Sequence, residues 1–402
     1  MEKLDLVARG DEVLMQTYGR LPVVMERGEG CRLFAADGRE YLDFVAGLAV
    51  CNLGHCHPAV TAAVFEQVEK LVHVSNLYHT EPQIELAETL VAHSFADRVF
   101  FCNSGAEANE AAIKLARKAG GDGRYEIISL TGSFHGRTLA TVAATGQPKF
   151  QEGFEPLPAG FVHAPFGDID GLRRLIGPQT CAVLCEPLQG EGGVRPLSPA
   201  YLQAIRRLCD EHGLLLIFDE VQVGMGRTGS LLAHQQLGVV PDIATLAKGL
   251  GNGLPIGAML ATEPVAAAFT PGSHAATFGG NPVACAAANA VLEVMLRPGF
   301  FEEVRQRGEY LAARLAELVA QYPGQLTEVR GMGLIQGLVL AEDCRDRGPE
   351  LIADLFAQGL LLNFAAHTAL RFLPPLVVSY QEIDRAVELL AGALKKALYK
   401  GD

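Results

Sequence analysis

Residues 244–253 read Ala-Thr-Leu-Ala-Lys-Gly-Leu-Gly-Asn-Gly, a run in which Lys248 is the single charged residue. A lysine held among apolar and glycine residues is partly desolvated, which lowers its pKa and makes its amine a usable nucleophile. A lysine that extends to the surface from a loop is the alternative interpretation. Lys248 alone does not decide between the two.

An acidic residue stands at the end of the preceding apolar run. Residues 213–218 form a continuous apolar segment that is typical of a strand covered on both faces, and Asp219 follows directly. In open α/β sheets, ligands bind beyond the carboxyl ends of the strands, so we expect Asp219 to face a site. A cap or turn residue at the strand end is the alternative.

The third feature is the run Asn103-Ser104-Gly105-Ala106, which precedes a predicted helix over about 106–119. Glycine lets backbone N–H groups point at an anion here, and the helix dipole favours that anion. An ordinary N-cap by Ser104 is the alternative. A nucleophilic lysine, a strand-end carboxylate and a phosphate cradle are together the parts of a pyridoxal phosphate site. In such a site the lysine binds the aldehyde, and the carboxylate pairs with the protonated pyridine nitrogen.

The composition excludes several classes of function. The chain has 402 residues, of which 49% are hydrophobic, so it can form a large core and two or three domains. Its net charge is -13 and it has no basic cluster, so we expect no nucleic-acid partner and no anionic membrane surface. No run reaches the ~18 apolar residues of a membrane span, and the first residues lack the pattern of a signal peptide.

The nine cysteines are an odd number, and no pair has CxxC spacing. Reduced thiols are typical of a cytoplasmic protein, which is the location we expect. Residues 51–57, Cys-Asn-Leu-Gly-His-Cys-His, contain metal-ligand residue types. They lack a second cluster with zinc spacing, so we expect a buried turn and no metal.

Strand and helix patterns alternate up to Asp219, which predicts an α/β fold with a mostly parallel sheet. A hairpin with an Asp-Gly turn is predicted over 31–44, and Asn281 is predicted to cap a helix that starts at Pro282. After about residue 297 the pattern changes to a long helix (300–321), strands near 333–340, 360–364 and 370–373, and a final helix (381–399). We therefore predict an N-terminal segment (1–50) that belongs with the smaller domain, a large domain (51–296) and a smaller α+β domain (297–402).

The ordered motifs of the chain resemble those of the class III aminotransferases, which use pyridoxal phosphate and have fold type I. The resemblance covers nearly the whole chain, from about Tyr18 onward. It rests on Gly54-His55-Cys56-His57-Pro58, Asn103-Ser104-Gly105-Ala106-Glu107-Ala108-Asn109-Glu110, Phe134-His135-Gly136-Arg137, Glu186-Pro187-Leu188-Gln189-Gly190-Glu191-Gly192-Gly193, Asp219-Glu220-Val221-Gln222, Lys248-Gly249 and Thr277-Phe278-Gly279-Gly280-Asn281-Pro282.

This resemblance implies a seven-stranded sheet in the large domain and a set of cofactor contacts. Lys248 binds the aldehyde and later acts as general base, and Asp219 keeps the pyridine nitrogen protonated. Ser104, Gly105 and Ala106 are implied to bind the phosphate. Phe134 and Val221 are implied to cover the two faces of the ring, and Gln222 to contact the ring hydroxyl. Thr277 is implied to bind the phosphate of a partner subunit's cofactor. The last contact implies a homodimer with shared active sites.

The resemblance is strongest to the family members that use N-acetylornithine, and it therefore also implies the substrates. Transamination of N-acetylornithine with 2-oxoglutarate gives N-acetylglutamate semialdehyde and glutamate, a step of arginine biosynthesis. Arg137 is implied to bind the α-carboxylate of the donor and Arg371 that of the 2-oxo acid, because guanidinium binds carboxylate through two parallel hydrogen bonds. Glu186 is implied to shield Arg371 while the donor is bound. From the residues alone, the interpretation of Arg371 is structural: its side chain packs over Phe372 and the following turn.

The sequence departs from the family pattern at three positions. Ala106 stands where threonine is common, so one side-chain contact to the phosphate is missing. Ala276, near the substrate, stands where the acetylornithine enzymes often have serine, and Leu48 stands where ornithine aminotransferases tend to have tyrosine. Another ω-amine donor (succinyldiaminopimelate, succinylornithine, ornithine or 4-aminobutyrate) therefore stays open as the alternative.

Two alternatives from other classes are a non-catalytic protein that only binds pyridoxal phosphate and a nicotinamide oxidoreductase. The first would need an appended DNA-binding segment if it were a regulator, and none precedes the domain. The second rests on a GxGxxG pattern at residues 224–229. The preceding strand ends several residues too early for a dinucleotide-binding turn, so we do not favour it.

Overall fold

The structure is a computed structural model that describes residues 5–398. Its helices in this range are α1 Asp5–Val13, α2 Ala46–Ala49, α3 Pro58–Lys70, α4 Glu81–Ala92, α5 Gly105–Ala119, α6 Leu139–Ala144, α7 Ile169–Leu175, α8 Pro199–His212, α9 His234–Leu237, α10 Glu263–Ala266, α11 Pro282–Met295, α12 Phe300–Gln321, α13 Gly348–Ala357 and α14 Tyr380–Leu398. The predicted end of the last helix, residue 399, lies outside the described residues.

The strands complete the inventory of elements. They are β1 Met25–Glu29, β2 Arg32–Ala35, β3 Glu40–Asp43, β4 Arg98–Cys102, β5 Glu126–Leu130, β6 Phe161–Ala164, β7 Thr180–Cys185, β8 Leu188–Gln189, β9 Arg195–Pro196, β10 Leu215–Asp219, β11 Ile243–Leu246, β12 Gly257–Ala261, β13 Leu326–Met332, β14 Ile335–Leu340, β15 Leu360–Leu361, β16 Asn363–Ala365 and β17 Ala369–Phe372.

Seven strands form the main sheet, in the order β4-β12-β11-β10-β7-β5-β6. The five strands from β11 to β6 pair in parallel, whereas β12 runs antiparallel to both β11 and β4. The prediction of an α/β fold on a mostly parallel seven-stranded sheet is confirmed.

The middle of this sheet is buried on both faces, as the apolar run before Asp219 predicted. Phe218 of β10 lies opposite Cys185 of β7 and opposite Ala244 of β11. All three residues are fully buried. Because the strands are parallel and in register, the residues that follow them emerge at one edge of the sheet.

Side-chain caps determine where two helices around the site begin. Ser104 precedes α5, and its Oγ accepts a hydrogen bond from the backbone N–H of Glu107 at 3.2 Å. Asn281 precedes α11, and its side-chain oxygen accepts from the N–H of Ala284 at 3.0 Å, with Pro282 in the first position. Both starts follow the expected N-cap chemistry, in which a short polar side chain satisfies a free N–H of the first turn.

Two four-stranded sheets lie outside the main sheet, in addition to the pair β8–β9. One has the order β1-β2-β3-β15, and the other has the order β13-β14-β17-β16. The predicted Asp-Gly hairpin is confirmed as the antiparallel pair β2–β3. Strand β15 pairs in parallel with β3, so an N-terminal strand and a C-terminal strand share one sheet. The domain boundaries themselves stay a prediction.

A left-handed turn at residues 46–49 leads into the site. Gly47 and Leu48 have φ values of 63° and 67°, and their neighbours Ala46 and Ala49 also have positive φ. Such a conformation costs about 1–2 kcal/mol for each residue other than glycine. Asp43 holds its start, since the carboxylate accepts from the N–H groups of residues 45 and 46 at 2.9 Å. Backbone strain of this kind is often found beside functional sites.

The GxGxxG pattern at residues 224–229 belongs to a structural turn. Arg227 inside it is fully buried, and its guanidinium donates to the carbonyl oxygens of Leu334 and Pro374 and to Oδ1 of Asn52. The turn therefore joins three distant parts of the chain. Among the described residues, no single helix is long and apolar enough to cross a membrane, although α11 and α12 pass that test as a pair bent by 75°.

Candidate active site

A cavity of about 470 Å³ opens at the carboxyl edge of the main sheet. Asp219 ends β10, Glu186 follows β7, and Lys248 lies two residues beyond β11. All three residues line this cavity. The structure thus brings together residues that are up to 62 positions apart in the sequence because the ends of parallel strands meet at this edge.

Asp219 is almost fully buried and is held by three hydrogen bonds. Its Oδ2 accepts from Nδ2 of Asn109 and lies 2.8 Å from Nδ1 of His135. Its Oδ1 accepts from the N–H of Val221 at 3.0 Å. Thr245 completes the network, because its hydroxyl donates to Oδ1 of Asn109 at 2.8 Å. The carboxylate therefore has a fixed orientation toward the cavity.

Asn109 and His135 were not predicted as site residues, although both lie inside motifs noted in the sequence. Asn109 sits in the second turn of α5 and is 1% exposed, and His135 is 2% exposed. A polar side chain at a buried position is the signal that would have identified them, and burial is not visible in the sequence alone.

Lys248 lies in a 3-10 turn, Lys248–Leu250, with a φ of 47°. Burial lowers the pKa of its ammonium group, although the nearby carboxylates of Glu191 and Asp219 oppose this effect. A lowered pKa leaves a larger fraction of the amine neutral and nucleophilic at neutral pH. The desolvated lysine predicted from the glycine-rich run is the interpretation that the geometry supports.

The N-terminus of α5 opens into the same cavity, with Ser104, Gly105 and Ala106 in its lining. The first N–H groups of a helix have no acceptor within the helix, so they are free to bind an anion. A methyl group on Gly105 would lie 2.6 Å from Cγ1 of Val221. Only glycine lets this turn and the Val221 side chain approach so closely, and the cradle has the form expected for a phosphate.

Two further side chains face the space between the cradle and Asp219. Phe134 and Val221 both line the cavity, and the N–H of Phe134 donates to Glu186 at 2.9 Å. Gln222 is 7% exposed, and its Nε2 donor is buried and has no partner within residues 5–398. An unpaired buried donor is costly, so it is expected to bond a ligand oxygen.

These features fit pyridoxal phosphate. The free N–H groups at α5 would hold the phosphate, Asp219 the pyridine nitrogen, and Gln222 the ring hydroxyl. Lys248 would attach covalently to the aldehyde. Phe134 and Val221 would enclose the ring. The individual contacts remain predictions, whereas the lining of the cavity by these residues is an observation.

Arg371 lies on β17 and is completely buried behind the cavity wall. Its Nη1 forms an ion pair with Glu191 at 2.7 Å and a hydrogen bond with Gln222 at 3.2 Å, and its Nε donates to Asn363 at 3.1 Å. Burial is the largest single effect and raises the pKa of Glu191, but the charge and the hydrogen bond of Arg371, together with the charge of Lys248, lower it below the usual value. Glu191 is therefore the carboxylate that covers Arg371.

The expectation that Glu186 shields Arg371 is wrong for this structure. Glu186 directly follows the buried strand β7, so its carboxylate turns inward and accepts from the N–H groups of Phe134 and Gly190. Burial raises its pKa above the usual value. Glu191 reaches Arg371 because it lies five residues farther along the loop, which the motif alone did not reveal.

Arg137 is exposed and lines the cavity at a different point. Its guanidinium carbon lies 4.1 Å from the ring centroid of Phe150 and 5.5 Å from that of Phe134. Within residues 5–398, no carboxylate lies within 4 Å of it. The structure thus contains one arginine that is covered by a carboxylate and one that is open to the cavity.

Thr277 and Ala276 do not line the cavity. Both lie on a loop that is anchored by Asn76, whose Nδ2 donates to the carbonyl oxygens of Ala276 and Gly279. Thr277 is exposed at this surface. Neither residue reaches Lys248 within one chain, and their contacts with a site on another subunit stay a prediction.

The Cys51–His57 segment forms a turn around an ion pair. Nε2 of His55 lies 2.7 Å from Oδ2 of Asp43. Among the described residues, no group of three or more histidines, cysteines or acids is placed to hold a metal ion.

The fold and the cavity together define a pyridoxal phosphate-dependent aminotransferase. The family model for class III aminotransferases matches residues 14–394, and the chain belongs to this family. The predicted fold type, the predicted class of enzyme and the predicted cofactor are confirmed.

Individual relatives and solved structures show which members of the family this chain is similar to. The chain is 55% identical to the acetylornithine aminotransferase of Thermosynechococcus vestitus, over 96% of this chain and 95% of that protein. It is 53% identical to the acetylornithine aminotransferase of Myxococcus xanthus, over 94% and 95% of the two chains. The N-acetylornithine aminotransferase of Stenotrophomonas maltophilia superposes with a TM-score of 0.84 at 39% identity, over 98% and 99% of the two chains. The ornithine aminotransferase of Toxoplasma gondii superposes with a TM-score of 0.94 at 32% identity, over 98% and 96%.

Proposed function

We propose that this enzyme transfers the side-chain amino group of N-acetylornithine to 2-oxoglutarate, giving N-acetylglutamate semialdehyde and glutamate in arginine biosynthesis. The single observation that carries this proposal is Arg137, a guanidinium that lines the cavity with no carboxylate partner in the described chain. Arg137 offers a site for the α-carboxylate of the donor, while the side-chain amine of the same donor reaches toward Lys248. The relatives that share half of the sequence and carry this activity support the same substrate.

The bound cofactor supplies an electron-accepting ring and an aldehyde that exchanges amines. Lys248 would attach to that aldehyde, and its Nζ, once the donor amine has taken its place, would be the base that moves the proton of the amine-bearing carbon of the donor. Asp219 would hold the pyridine nitrogen in its protonated form, and Asn109 and His135 hold the Asp219 carboxylate in position.

The second half of the reaction needs a site for a dicarboxylate. Arg371 is the candidate for the α-carboxylate of 2-oxoglutarate, and it is reached only when Glu191 moves away. When Glu191 covers Arg371, the cavity presents one cation, Arg137, which suits a donor with one carboxylate. This difference between the two arginines explains how one cavity accepts both substrates in turn.

A panel of donors tests the substrate assignment. The purified enzyme with pyridoxal phosphate and 2-oxoglutarate is assayed for glutamate with N-acetylornithine, succinylornithine, succinyldiaminopimelate, ornithine and 4-aminobutyrate. We expect kcat/KM to be highest for N-acetylornithine and at least about tenfold lower for ornithine, because the free α-ammonium group of ornithine places a positive charge beside the Arg137 guanidinium that receives the α-carboxylate. A higher kcat/KM for any other donor would replace N-acetylornithine as the substrate.

We also propose that the enzyme is a homodimer with shared active sites. Leu77, Tyr78 and Phe278 are 85%, 68% and 61% exposed, and they lie on the two adjoining loops that Asn76 links. Apolar side chains this exposed mark an interface. A second copy of the chain is the occupant we favour, because the same loop carries Thr277, whose expected contact is a phosphate on another subunit.

Sedimentation velocity of the wild type and of Phe278→Asp tests the dimer. We expect twice the chain mass for the wild type, and a shift toward monomer with weaker cofactor binding for the variant. Leu139→Asp, on another exposed surface (58% exposed), serves as the control. A wild-type monomer with full activity would contradict the proposal.

We further propose a cytoplasmic location. The nine cysteines have no CxxC spacing and six of them are buried, as in proteins kept in a reducing compartment. Fractionation of cells that express the protein at natural levels tests this placement, and recovery in the membrane or secreted fraction would contradict it.

A further inference from the structure

Phe150 contacts two residues that line the cavity, Phe134 and Arg137. Its ring packs edge-to-face against Phe134, with centroids 5.5 Å apart and planes at 81°. The guanidinium carbon of Arg137 lies 4.1 Å from the Phe150 centroid, which is closer than its 5.5 Å distance from Phe134. Among the cation–aromatic contacts of Arg137, the one with Phe150 is therefore the main one.

The short turn that carries Phe150, Pro148–Phe150, is fixed on both sides by glutamines. Gln147 donates to the carbonyl oxygens of Gly132 and Ser133 at 3.3 and 3.0 Å. Gln151 donates to the carbonyl oxygens of Val142 and Thr145 at 3.3 and 2.9 Å. These bonds tie the turn to the end of β5 and to α6. The ring of Phe150 therefore stands on a rigid support.

The two arginines are oriented by different means. Arg371 is oriented by three polar partners, Asn363, Gln222 and Glu191. Arg137 has no such partner within the described residues, so its long side chain would otherwise sample many rotamers. Stacking on an aromatic face orients a guanidinium and leaves its N–H donors free for a ligand.

We propose that Phe150 is a positioning residue for the donor. Its ring holds the Arg137 guanidinium in place to receive the donor α-carboxylate and, in the other half-reaction, the second carboxylate of 2-oxoglutarate. This inference rests on the proposed function, since it concerns the carboxylate that Arg137 receives. The Phe150 ring also contacts Phe134, the residue expected to cover the cofactor ring, so one side chain touches both Phe134 and Arg137.

The test compares Phe150→Leu with the wild-type holoenzyme. We expect the KM for N-acetylornithine to rise about three- to tenfold, from the loss of a cation–π contact. We expect kcat to change by less than about twofold and the KM for 2-oxoglutarate to rise as well, because Arg371 binds only one of its two carboxylates and Arg137 is the guanidinium open to the other. Phe150→Tyr, which keeps an aromatic face, is expected to restore the wild-type KM.

A matched control comes from the same loop. Phe154 is 57% exposed and forms no aromatic or cation–π contact in the described chain. Phe154→Leu makes the same chemical change and is expected to leave the donor KM unaltered. If Phe150→Leu left the KM for N-acetylornithine unchanged, or lowered only kcat, the role of Phe150 would be overturned.

A binding measurement separates this inference from the substrate assignment. N-acetylnorvaline keeps the α-carboxylate, the acetamide and the carbon chain of N-acetylornithine but lacks the amine, so it binds without reacting. Calorimetric titration is expected to show about three- to tenfold weaker binding of it to Phe150→Leu holoenzyme than to the wild type. Equal binding overturns the role of Phe150, whereas failure of the wild type to turn over N-acetylornithine overturns the proposed function. Failure of the wild type to bind N-acetylnorvaline also overturns the role of Phe150 and leaves the proposed function to the turnover assay.

Discussion

Replacing Lys248 by alanine is expected to lower kcat by about 10⁴-fold or more, because the enzyme loses both its covalent hold on the aldehyde and its general base. Burial lowers the pKa of this lysine, which favours the neutral amine that both roles require. Lys248→Arg is expected to be equally inactive, although it keeps a positive charge, because arginine stays protonated and is not a nucleophile. Steady-state assays with N-acetylornithine and 2-oxoglutarate measure both effects.

A second readout does not depend on turnover. After borohydride reduction, intact-mass measurement is expected to show cofactor attached to the wild type and absent from Lys248→Ala. Lys396→Ala is the control, since Lys396 is 74% exposed and pairs with Asp354 on the surface. A Lys248→Ala enzyme with turnover near the wild-type rate would disprove the assignment of the site.

Replacing Asp219 by asparagine is expected to lower kcat by about 10³-fold, because the ring loses the charge that stabilises its protonated nitrogen. The change preserves the shape of the side chain, and the amide oxygen can still accept from the N–H of Val221, whereas Nδ2 of Asn109 loses its acceptor at the Oδ2 position. The cofactor is expected to remain bound through Lys248 and the cradle at α5, so absorbance of the bound cofactor should persist while turnover falls.

Asp242→Asn provides the matched control. Asp242 precedes β11 at the opposite end of the sheet, where its carboxylate accepts from the N–H of Leu216 and pairs with Arg206. This variant is expected to keep nearly full activity and to unfold at a somewhat lower temperature. If Asp219→Asn and Asp242→Asn lost activity to the same extent, a general loss of stability would explain both.

The local rules of chain structure account for what the sequence predicted well. The buried strand β10, the caps at Ser104 and Asn281, and the β2–β3 hairpin depend on residues that are neighbours in the sequence. The convergence of Lys248, Asp219 and the α5 cradle was also predictable, since it follows from parallel strands ending at one edge. The class of enzyme followed from these residues together with the resemblance.

The features that the sequence did not reveal depend on contacts between distant residues. Glu191 and Arg371 are 180 positions apart, and nothing near either residue selects Glu191 over Glu186 as the partner. The antiparallel direction of β12 depends on its neighbours β11 and β4. The left-handed turn at residues 46–49 contains only one glycine in four positions, so its amino-acid sequence does not predict a left-handed conformation. The expected contact of Thr277 is with a second subunit, and it stays a prediction.

The central claim is that Lys248 and the surrounding residues carry out transamination of N-acetylornithine, and a single-turnover experiment tests it most directly. The purified holoenzyme is mixed with N-acetylornithine without any 2-oxo acid, and the visible absorbance of the cofactor and the amount of N-acetylglutamate semialdehyde are recorded. We predict that the colour is lost, that one product molecule forms per site, and that 2-oxoglutarate restores the colour and yields one glutamate. A colour that persists with no product after addition of N-acetylornithine would contradict the account.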